Sequence, residues 1–301
     1  MELLLSSVLD AFLHHMEYGL GRGHHTVVSY SVDLGQFLEF LEQEGVLTPR
    51  HITSGHVRSF LREMLGFGYA KTSAARKLSA LRSFFEYMCE QHMLSQNPAA
   101  SVRTPKLPKH LPLALSGEDA RRLVEEGPRG EGACRDRAIL EILYGSGLRV
   151  AELVSLDWEH VDLEERWIRV LGKGNKERYV PLSIPAQEAL ETWKVLLGKK
   201  FALEAPIFPG SRGASRITVR TVHRIVTNIA RELGFYNVTP HTLRHTFATH
   251  MLEGNAPLRV VQELLGHENL GTTQKYLQIT PGQMVRSYCA AHPRAGGESD
   301  V

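Results

Sequence analysis

Cysteine is scarce in this sequence, and long apolar runs are missing. The 301 residues include three cysteines, Cys89, Cys134 and Cys289, which are odd in number and far apart. This spacing argues against a disulfide framework and fits no cysteine-based zinc or iron–sulfur site. No window approaches the roughly 18 consecutive apolar residues that a membrane span needs, and the N-terminal segment lacks the basic region and cleavage site of a signal peptide. We therefore expect a cytoplasmic protein with no membrane partner.

Acidic residues are missing from three stretches, 64–85, 91–117 and 205–231, although the net charge is only +2. The cations in these stretches are Lys71, Arg76, Lys77, Arg82, Arg103, Lys106, Lys109, Arg212, Arg216, Arg220, Arg224 and Arg231. Segregated positive charge favours a polyanionic partner, most commonly a phosphate backbone. A single run of this kind also fits a solvated helix face, but three runs in one chain favour polyanion binding.

The first hundred residues show only helical periodicity. Apolar residues recur at steps of three and four in four segments, which predicts a small four-helix domain over 1–96. The predicted helix N-caps and ends are Thr26, Thr53, Thr72, Gly45 and Gly66. The sequence shows no internal repeat.

A proline-rich basic segment follows. Four prolines and no acid lie between 97 and 112, which predicts an extended linker over 97–115. Ser116 and Asp119 form a capping-box pattern that opens a second domain, predicted over 116–295. Residues 296–301 are expected to be a disordered tail.

The second domain is predicted to be mixed. Its helices include one broken at Gly145–Gly147, one capped by Thr218 and one capped by Thr239 with Pro240 at its first position. The segment 166–182 alternates around a glycine-rich turn and predicts a β-hairpin. The whole chain is thus expected to be mainly α with a small β-sheet, an α+β protein.

The helix after Thr239 begins with "HTLRHTFATH", residues 241–250. His241 and His245 have a spacing that zinc-binding helices use, but Thr242 replaces the glutamate of a hydrolytic zinc motif and Arg244 would repel a dication. His241 and Arg244 lie on one face near the helix N-terminus, where free N–H groups favour an anion. We therefore expect an anion site and no metal, with His245 and His250 as hydrogen-bonded structural residues.

Four further residues could carry chemistry, and each has a structural alternative. Arg149 could be a surface arginine paired with Glu152. Lys173 could be a solvated lysine in a hairpin turn, which lacks the first glycine and the Ser or Thr of a nucleotide-binding P-loop. His267 could cap a helix C-terminus, and Tyr276 could be a half-buried aromatic residue.

Together these residues resemble one family. The chain shares with the tyrosine recombinase (phage integrase) family the order of "GLRVAEL", "GKGNKERYVPL", "HTLRHTFATHML", "LLGH" and a tyrosine nine residues after that histidine. The tail "AAHPRA" and the helical N-terminal domain are similar to the Xer subgroup, which resolves chromosome dimers. After the tyrosine, "YLQIT" departs from that subgroup's usual Tyr-Thr-His and apolar residue. The resemblance implies a SAM-like core-binding domain and a catalytic domain that form a C-shaped clamp around DNA.

The resemblance also implies a reaction. Tyr276 Oη would attack a DNA phosphodiester to give a 3′-phosphotyrosine and a free 5′-hydroxyl, with no ATP and no metal. His241 would handle the proton of the tyrosine. Arg149 and Arg244 would stabilise the extra negative charge of the phosphorane through paired N–H donors.

The remaining catalytic residues of the pattern would act on the leaving group and the phosphate. Lys173 would protonate the departing 5′-oxygen, and His267 would hydrogen-bond the phosphate. Candidate contacts to double-stranded DNA are Lys71, Arg76, Lys77, Arg82, Arg103, Lys106, Arg212, Arg216 and Arg220.

Partners are implied by the same resemblance. The expected assembly is a homo- or heterotetramer with a second recombinase on a recombination site, with the C-terminal segment 284–295 docked into a neighbouring subunit. A DNA translocase is a possible activator. The alternatives are an integrase of a phage or mobile element, a type IB topoisomerase, and a DNA-binding regulator without catalytic activity.

Overall fold

The computed structural model describes residues 4–20, 23–106, 114–172, 177–198, 202–210, 216–266 and 280–295. The chain divides into two compact units, Met1–Lys109 and His110–Val301, and each has its own hydrophobic core. Helices predominate and one small sheet is present, which confirms the predicted α+β class. No described helix is long and apolar enough to cross a membrane.

The described part of the first unit contains four α-helices. They are α1 (Leu5–His14), α2 (His24–Gln43), α3 (Ser54–Gly66) and α4 (Lys71–Glu90). Their apolar faces meet around Phe37, which is fully buried and packs edge-on against Phe60, with the ring centroids 5.1 Å apart. Burial of such large rings supplies most of the stabilisation of a bundle this small.

The predicted N-caps of these helices are right in one case and wrong in two. Thr53 caps α3, where its side chain accepts a backbone N–H from the first turn. Thr26 and Thr72 are not caps, because α2 and α4 begin earlier, behind Gly23 and Ala70. Both threonines therefore lie inside the first turn of a helix.

The start of the predicted linker is packed on α4. Ala99 and Val102 are buried in the core of the first unit. Arg82 donates to the carbonyls of both residues, at 3.4 Å and 2.6 Å, and the Asn97 amide donates to the Arg82 carbonyl at 3.0 Å. Residues 97–102 thus belong to the first unit, and the expectation of an extended chain from residue 97 is wrong for them.

The second unit surrounds α6 with helices and a sheet. Its elements are α5 (Gly117–Glu125), α6 (Ala133–Gly145), α7 (Val150–Ser155), β1 (Val161–Asp162), β2 (Trp167–Leu171), β3 (Glu177–Pro181), α8 (Ile184–Leu197), α9 (Val219–Glu232), α10 (Pro240–Glu253), α11 (Leu258–Leu265) and α12 (Pro281–Ala291). The sheet is antiparallel in the order β1-β2-β3, with Arg169 opposite Tyr179. This confirms the predicted hairpin, whereas the two-residue β1 was not predicted.

Helix α10 begins as expected and packs closely on the break between α6 and α7. Thr239 is its N-cap and Pro240 is its first residue. Phe247, one of its buried residues, lies against Gly147, which has φ +60°. A side chain at Gly147 would clash with the Phe247 ring. Glycine is therefore needed here to bring the start of α7 up against α10.

The C-terminal segment packs on its own unit. Tyr288 is buried and donates from Oη to the carbonyl of Gly145 at 2.8 Å. Arg294 Nε donates to the buried Glu141 at 3.0 Å, and Arg294 Nη1 donates to Glu125 at 2.8 Å. In this single chain the segment 284–295 thus covers its own α6 and α5, which differs from the predicted docking into a neighbouring subunit.

Candidate active site

Arg149 lies at the N-terminus of α7, directly before the first helical residue. Its backbone N–H and its Nη1 donate to Glu152 at 2.7 and 2.8 Å, and its Nη2 donates to the carbonyl of Gly266 at 3.0 Å. The side chain of Arg149 is still 45% exposed. Arg149 is therefore paired with Glu152, as the structural alternative predicts, and part of its guanidinium is still accessible.

Arg244 lies in the second turn of α10 and is buried. Its Nη1 donates to the carbonyl of Gly147 at 2.7 Å and its Nη2 to the carbonyl of Leu265 at 2.6 Å. Its Nη1 is also 4.0 Å from Glu152 Oε2. Burial, together with the charge of Arg149, lowers the pKa of Arg244 to about 10, so the guanidinium is still protonated at neutral pH.

Glu152 connects the two predicted arginines, and a third arginine binds it from the sheet. Arg178 on β3 donates to both oxygens of the Glu152 carboxylate, at 2.9 and 2.8 Å. Burial alone would raise the pKa of Glu152, but the hydrogen bonds and charge of Arg178 and the hydrogen bonds from Arg149 outweigh it and hold the pKa below its usual range. The carboxylate is therefore ionised at neutral pH.

Sequence reasoning did not assign a site role to Arg178. One signal for it exists in the strand pattern. Side chains alternate along β3, so Arg178 shares a face with the buried Val180. An arginine on the buried face of a strand needs a charged partner, and that partner here is Glu152.

Of the other four predicted catalytic residues, the structure describes one, His241. His241 is exposed in the first turn of α10, three residues before Arg244. Lys173, His267 and Tyr276 lie outside the described residues. The described part of the site therefore consists of Arg149, Glu152, Arg178, His241 and Arg244.

The histidines that follow His241 differ in environment. His250 is buried, with its Nδ1 2.8 Å from Tyr144 Oη and its Nε2 3.0 Å from the carbonyl of Leu115. This confirms the structural role expected for His250. His245 is half-buried on the same helix. Among the described residues, Asp157, Glu159 and His160 lie close enough together to act as metal ligands. His241 and His245 are not part of that group.

Three of the predicted DNA contacts in the first unit, Lys77, Arg76 and Arg82, bind other groups of the protein. Lys77 is buried, with its Nζ 2.8 Å from Asp33 Oδ1 and a further hydrogen bond to Gln36. A buried ammonium cannot reach a phosphate, so the prediction for Lys77 is wrong. Arg76 binds the same Asp33 carboxylate but is half-exposed, and Arg82 holds residues 99–104 through backbone and side-chain hydrogen bonds.

The remaining predicted DNA contacts also include residues that bind other groups of the protein and residues that are exposed. Arg216 donates to Asp157 Oδ2 at 2.9 Å and to the carbonyl of Ser155 at 3.1 Å, so part of its guanidinium is used within the protein. Arg212 lies outside the described residues. Lys71, Arg103, Lys106 and Arg220 are exposed, as are Arg76 and Arg216 despite their ion pairs.

Comparison with known families identifies the chain. The profile described as phage integrase family matches residues 114–282, and the one described as phage integrase, N-terminal SAM-like domain, matches residues 9–92. The chain belongs to the phage integrase family of tyrosine recombinases. It is a DNA recombinase that acts by transesterification, and the two matched regions account for both compact units.

Its curated relatives extend over nearly the whole chain. Tyrosine recombinase XerC of Thermodesulfovibrio yellowstonii is 42% identical over 94% of this chain and 95% of the relative. Tyrosine recombinase XerC of Escherichia coli O157:H7 is 41% identical over 97% of this chain and 98% of the relative. The corresponding protein of Myxococcus xanthus is 40% identical over 97% and 99%. The chain is therefore of the XerC type.

Solved structures show the same fold. A lambda integrase dimer bound to a COC' core site has a TM-score of 0.69 and 20% identity, and covers 92% of this chain and 100% of that chain. XerA recombinase has a TM-score of 0.50 and 29% identity, and covers 96% of this chain and 99% of that chain. The predicted recombinase fold is thus confirmed.

Proposed function

We propose that Tyr276 is the nucleophile of this recombinase and that Arg149 and Arg244 bind the scissile phosphate. The observation that carries this proposal is the convergence of both arginines on one ionised carboxylate, Glu152. Arg149, Arg178 and Arg244 contribute three positive charges and Glu152 one negative charge, so the cluster has a charge of 3 − 1 = +2. A fixed excess of positive charge attracts a phosphodiester, and the pentacoordinate phosphorane carries more negative charge still.

This positive charge would also lower the free energy needed to deprotonate Tyr276. An ordinary tyrosine has a pKa near 10, so forming the phenolate at pH 7 costs about 4 kcal/mol. A neighbouring site of charge +2 lowers that cost, and His241 would accept or relay the proton. Lys173 would protonate the leaving 5′-oxygen, and His267 would help to hold the phosphate. Bond energy is kept in the 3′-phosphotyrosine, so no nucleotide and no metal would be needed.

Cellular function is proposed from the relatives. Similarity to proteins named XerC over nearly the full length supports resolution of chromosome dimers to monomers in the cytoplasm during cell division. The target would be a short duplex site, and exposed cations such as Lys71, Arg103, Lys106 and Arg220 would contact its phosphates. An integrase of a phage or mobile element is the alternative within the family.

Assembly is proposed to be tetrameric. One solved neighbour is a lambda integrase tetramer bound to a Holliday junction, with a TM-score of 0.70 and 20% identity. A tetramer of this chain, alone or with a second recombinase, would hold two duplexes for strand exchange. A DNA translocase is the proposed activator. The segment 284–295, which packs on its own unit here, would be the connection to a neighbouring subunit.

Strand exchange tests this function against its alternatives. Two labelled duplexes of different length, each with a candidate chromosomal dimer-resolution site, are incubated with the protein, with and without a second recombinase and with EDTA. Recombinant products of both lengths in the presence of EDTA are expected. Relaxation of supercoiled DNA without recombinants would indicate a topoisomerase, and tight binding without any cleavage would indicate a regulator.

A further inference from the structure

Arg178 uses its side-chain donors differently from the two predicted phosphate ligands. A guanidinium has five N–H donors. Arg178 donates from Nε, Nη1 and Nη2, and its side chain is only 12% exposed. Arg149 and Arg244 each donate two N–H groups to described residues. Within the described residues this leaves three N–H groups without a hydrogen bond on each of Arg149 and Arg244, and two on Arg178, whose Nε is also engaged. Arg244 is as deeply buried as Arg178, with 9% of its side chain exposed, so the number of engaged donors, and not exposure, distinguishes these two arginines.

The contacts of Arg178 connect three elements of the site. Its Nη groups hold Glu152 on α7, and its Nε donates to the carbonyl of Leu264 at the end of α11 at 3.0 Å. Gly266, two residues later, accepts Arg149 Nη2 at 3.0 Å. A side chain at Gly266 would lie 3.2 Å from Arg178 Nη1. Arg178 therefore supports both partners of Arg149, the carboxylate and the α11 terminus.

The contact between Arg178 and Glu152 affects the charge that the cluster offers to the scissile phosphate. With Arg178 present, the carboxylate of Glu152 is shared, and the cluster has a charge of +2. Without Arg178 the charge falls to 2 − 1 = +1, and the two hydrogen-bonding positions that it vacates on the carboxylate would be open to Arg149 and Arg244. A carboxylate that binds these two arginines more tightly would compete with the scissile phosphate for the same N–H groups.

We propose that Arg178 is a positioning residue for DNA cleavage: by binding Glu152 with two hydrogen bonds, it keeps the unused N–H groups of Arg149 and Arg244 directed to the scissile phosphate. This rests on the proposed roles of Arg149 and Arg244. Arg178 itself does not touch the substrate. Its loss should slow the chemical step while leaving the affinity for DNA, which depends on many exposed phosphate contacts, nearly unchanged.

The hairpin supplies a matched control. Arg169 on β2 pairs with Glu177 at 3.1 Å, so it is also an arginine bound to a carboxylate in the same sheet. Unlike Arg178, it has no contact with Glu152. Arg169→Met and Arg178→Met therefore remove the same chemical group from one hairpin, and only the second change alters the cluster.

Single-turnover cleavage tests the proposal. The substrate is a nicked duplex on which the wild-type chain forms a covalent adduct, and DNA affinity is measured in parallel by mobility shift. Arg178→Met is expected to slow adduct formation by about 10²-fold, the loss typical of a misplaced anion-binding group, with the dissociation constant within a few-fold of wild type. Arg178→Lys should recover part of the rate, and Arg169→Met should cleave like wild type.

A double variant separates positioning from a loss of folding. Arg178→Met leaves Glu152 without its main partner, whereas Arg178→Met combined with Glu152→Gln removes both charges of that pair. Positioning through Glu152 predicts that the double variant cleaves no more slowly than the slower single variant. Equal cleavage rates in Arg178→Met and Arg169→Met, or losses that multiply in the double variant, would overturn the proposal.

The geometry can also be checked without DNA. The NMR signals of the Arg149 and Arg244 Nε–H groups should move in Arg178→Met and stay in place in Arg169→Met. Unmoved signals would contradict the proposal even if the wild-type chain cleaved no duplex. Absence of cleavage by the wild-type chain would instead count against the proposed function of Tyr276.

Discussion

Arg149 and Glu152 are joined twice, by the backbone N–H of Arg149 at 2.7 Å and by its Nη1 at 2.8 Å. One carboxylate thereby fixes both the start of α7 and the direction of the guanidinium. The same carboxylate is shared with Arg178 and approached by Arg244. Glu152 thus orients Arg149 directly, whereas Arg244 lies within ion-pair distance of it and is held by the carbonyls of Gly147 and Leu265.

Glu152→Gln should therefore destabilise the second unit. The change leaves buried guanidinium groups without their counter-charge, and breaking a buried ion pair typically costs about 3–5 kcal/mol. Urea unfolding at pH 7.5 measures the loss. Glu118→Gln on α5 is the control, because Glu118 pairs with Arg121 on the surface, and it should leave the free energy of unfolding nearly unchanged.

The same variant should change the response to acid. The pKa of Glu152 is lowered in the folded chain, so its stabilising effect is complete above the unfolded pKa of about 4.3 and is lost as the pH falls through the folded value. The difference in unfolding free energy between wild type and Glu152→Gln should therefore shrink below pH 4.5. A difference that stays constant down to pH 3 would contradict this account.

Lys77 and Lys71 lie on one helix but should behave in opposite ways. Lys77→Met removes the buried partner of Asp33 and should lower the free energy of unfolding by about 3 kcal/mol, since Arg76 still binds that carboxylate. Lys71→Met should keep the stability and weaken DNA binding, with a salt dependence reduced by about one phosphate contact. Equal stability of the two variants would show that Lys77 is not structural.

His292 should make the chain sensitive to mild acid. It is stacked on Tyr288 with ring centroids 5.3 Å apart, and burial lowers its pKa to about 3. A histidine in the unfolded chain has a pKa near 6.5. Between pH 6.5 and 3 the unfolded state therefore binds more protons than the folded state. The free energy of unfolding decreases as the pH is lowered through this range, by up to about 1.4 kcal/mol per pH unit from this group. His292→Asn should be less stable at pH 7.5 but show a shallower fall. An unchanged slope would rule out this origin.

Tyr144 should stabilise the second unit through one hydrogen bond. In neutral His250, Nε2–H donates to the Leu115 carbonyl, so Nδ1 accepts and Tyr144 Oη donates. Tyr144→Phe leaves a buried acceptor unpaired and should cost about 1–3 kcal/mol. Tyr236→Phe is the control, because Tyr236 is exposed. Similar unfolding curves for the two variants would argue against the buried bond.

Local signals in the sequence predicted much of the fold. Thr53, Thr218 and Thr239 are N-caps as expected, because a side-chain oxygen before a periodic apolar segment satisfies the first free N–H groups. Thr26 and Thr72 are not N-caps, since the N-cap positions of those helices lie three and two residues earlier, at Gly23 and Ala70. A two-residue strand such as β1 has no periodicity to detect.

Long-range pairing was not predictable in this way. Lys77 is predicted to contact DNA because residues 64–85 contain no acid, but its carboxylate partner, Asp33, lies 44 positions earlier on another helix. Arg178 was missed because its partner Glu152 lies on a different element, 26 positions away. The order of motifs nevertheless indicated Arg149 and Arg244, and the structure brings these two residues to one carboxylate.

Tyr276 is proposed to become covalently bound to DNA during strand cleavage. The protein is incubated with a nicked duplex bearing a candidate dimer-resolution site, labelled on the strand that would keep its 3′ phosphate, and run on a denaturing gel. We predict a protein–DNA adduct with wild type and none with Tyr276→Phe, while both proteins bind the duplex equally in a mobility shift. An adduct that persists in Tyr276→Phe, or no adduct with wild type on any such site despite tight binding, would contradict the account.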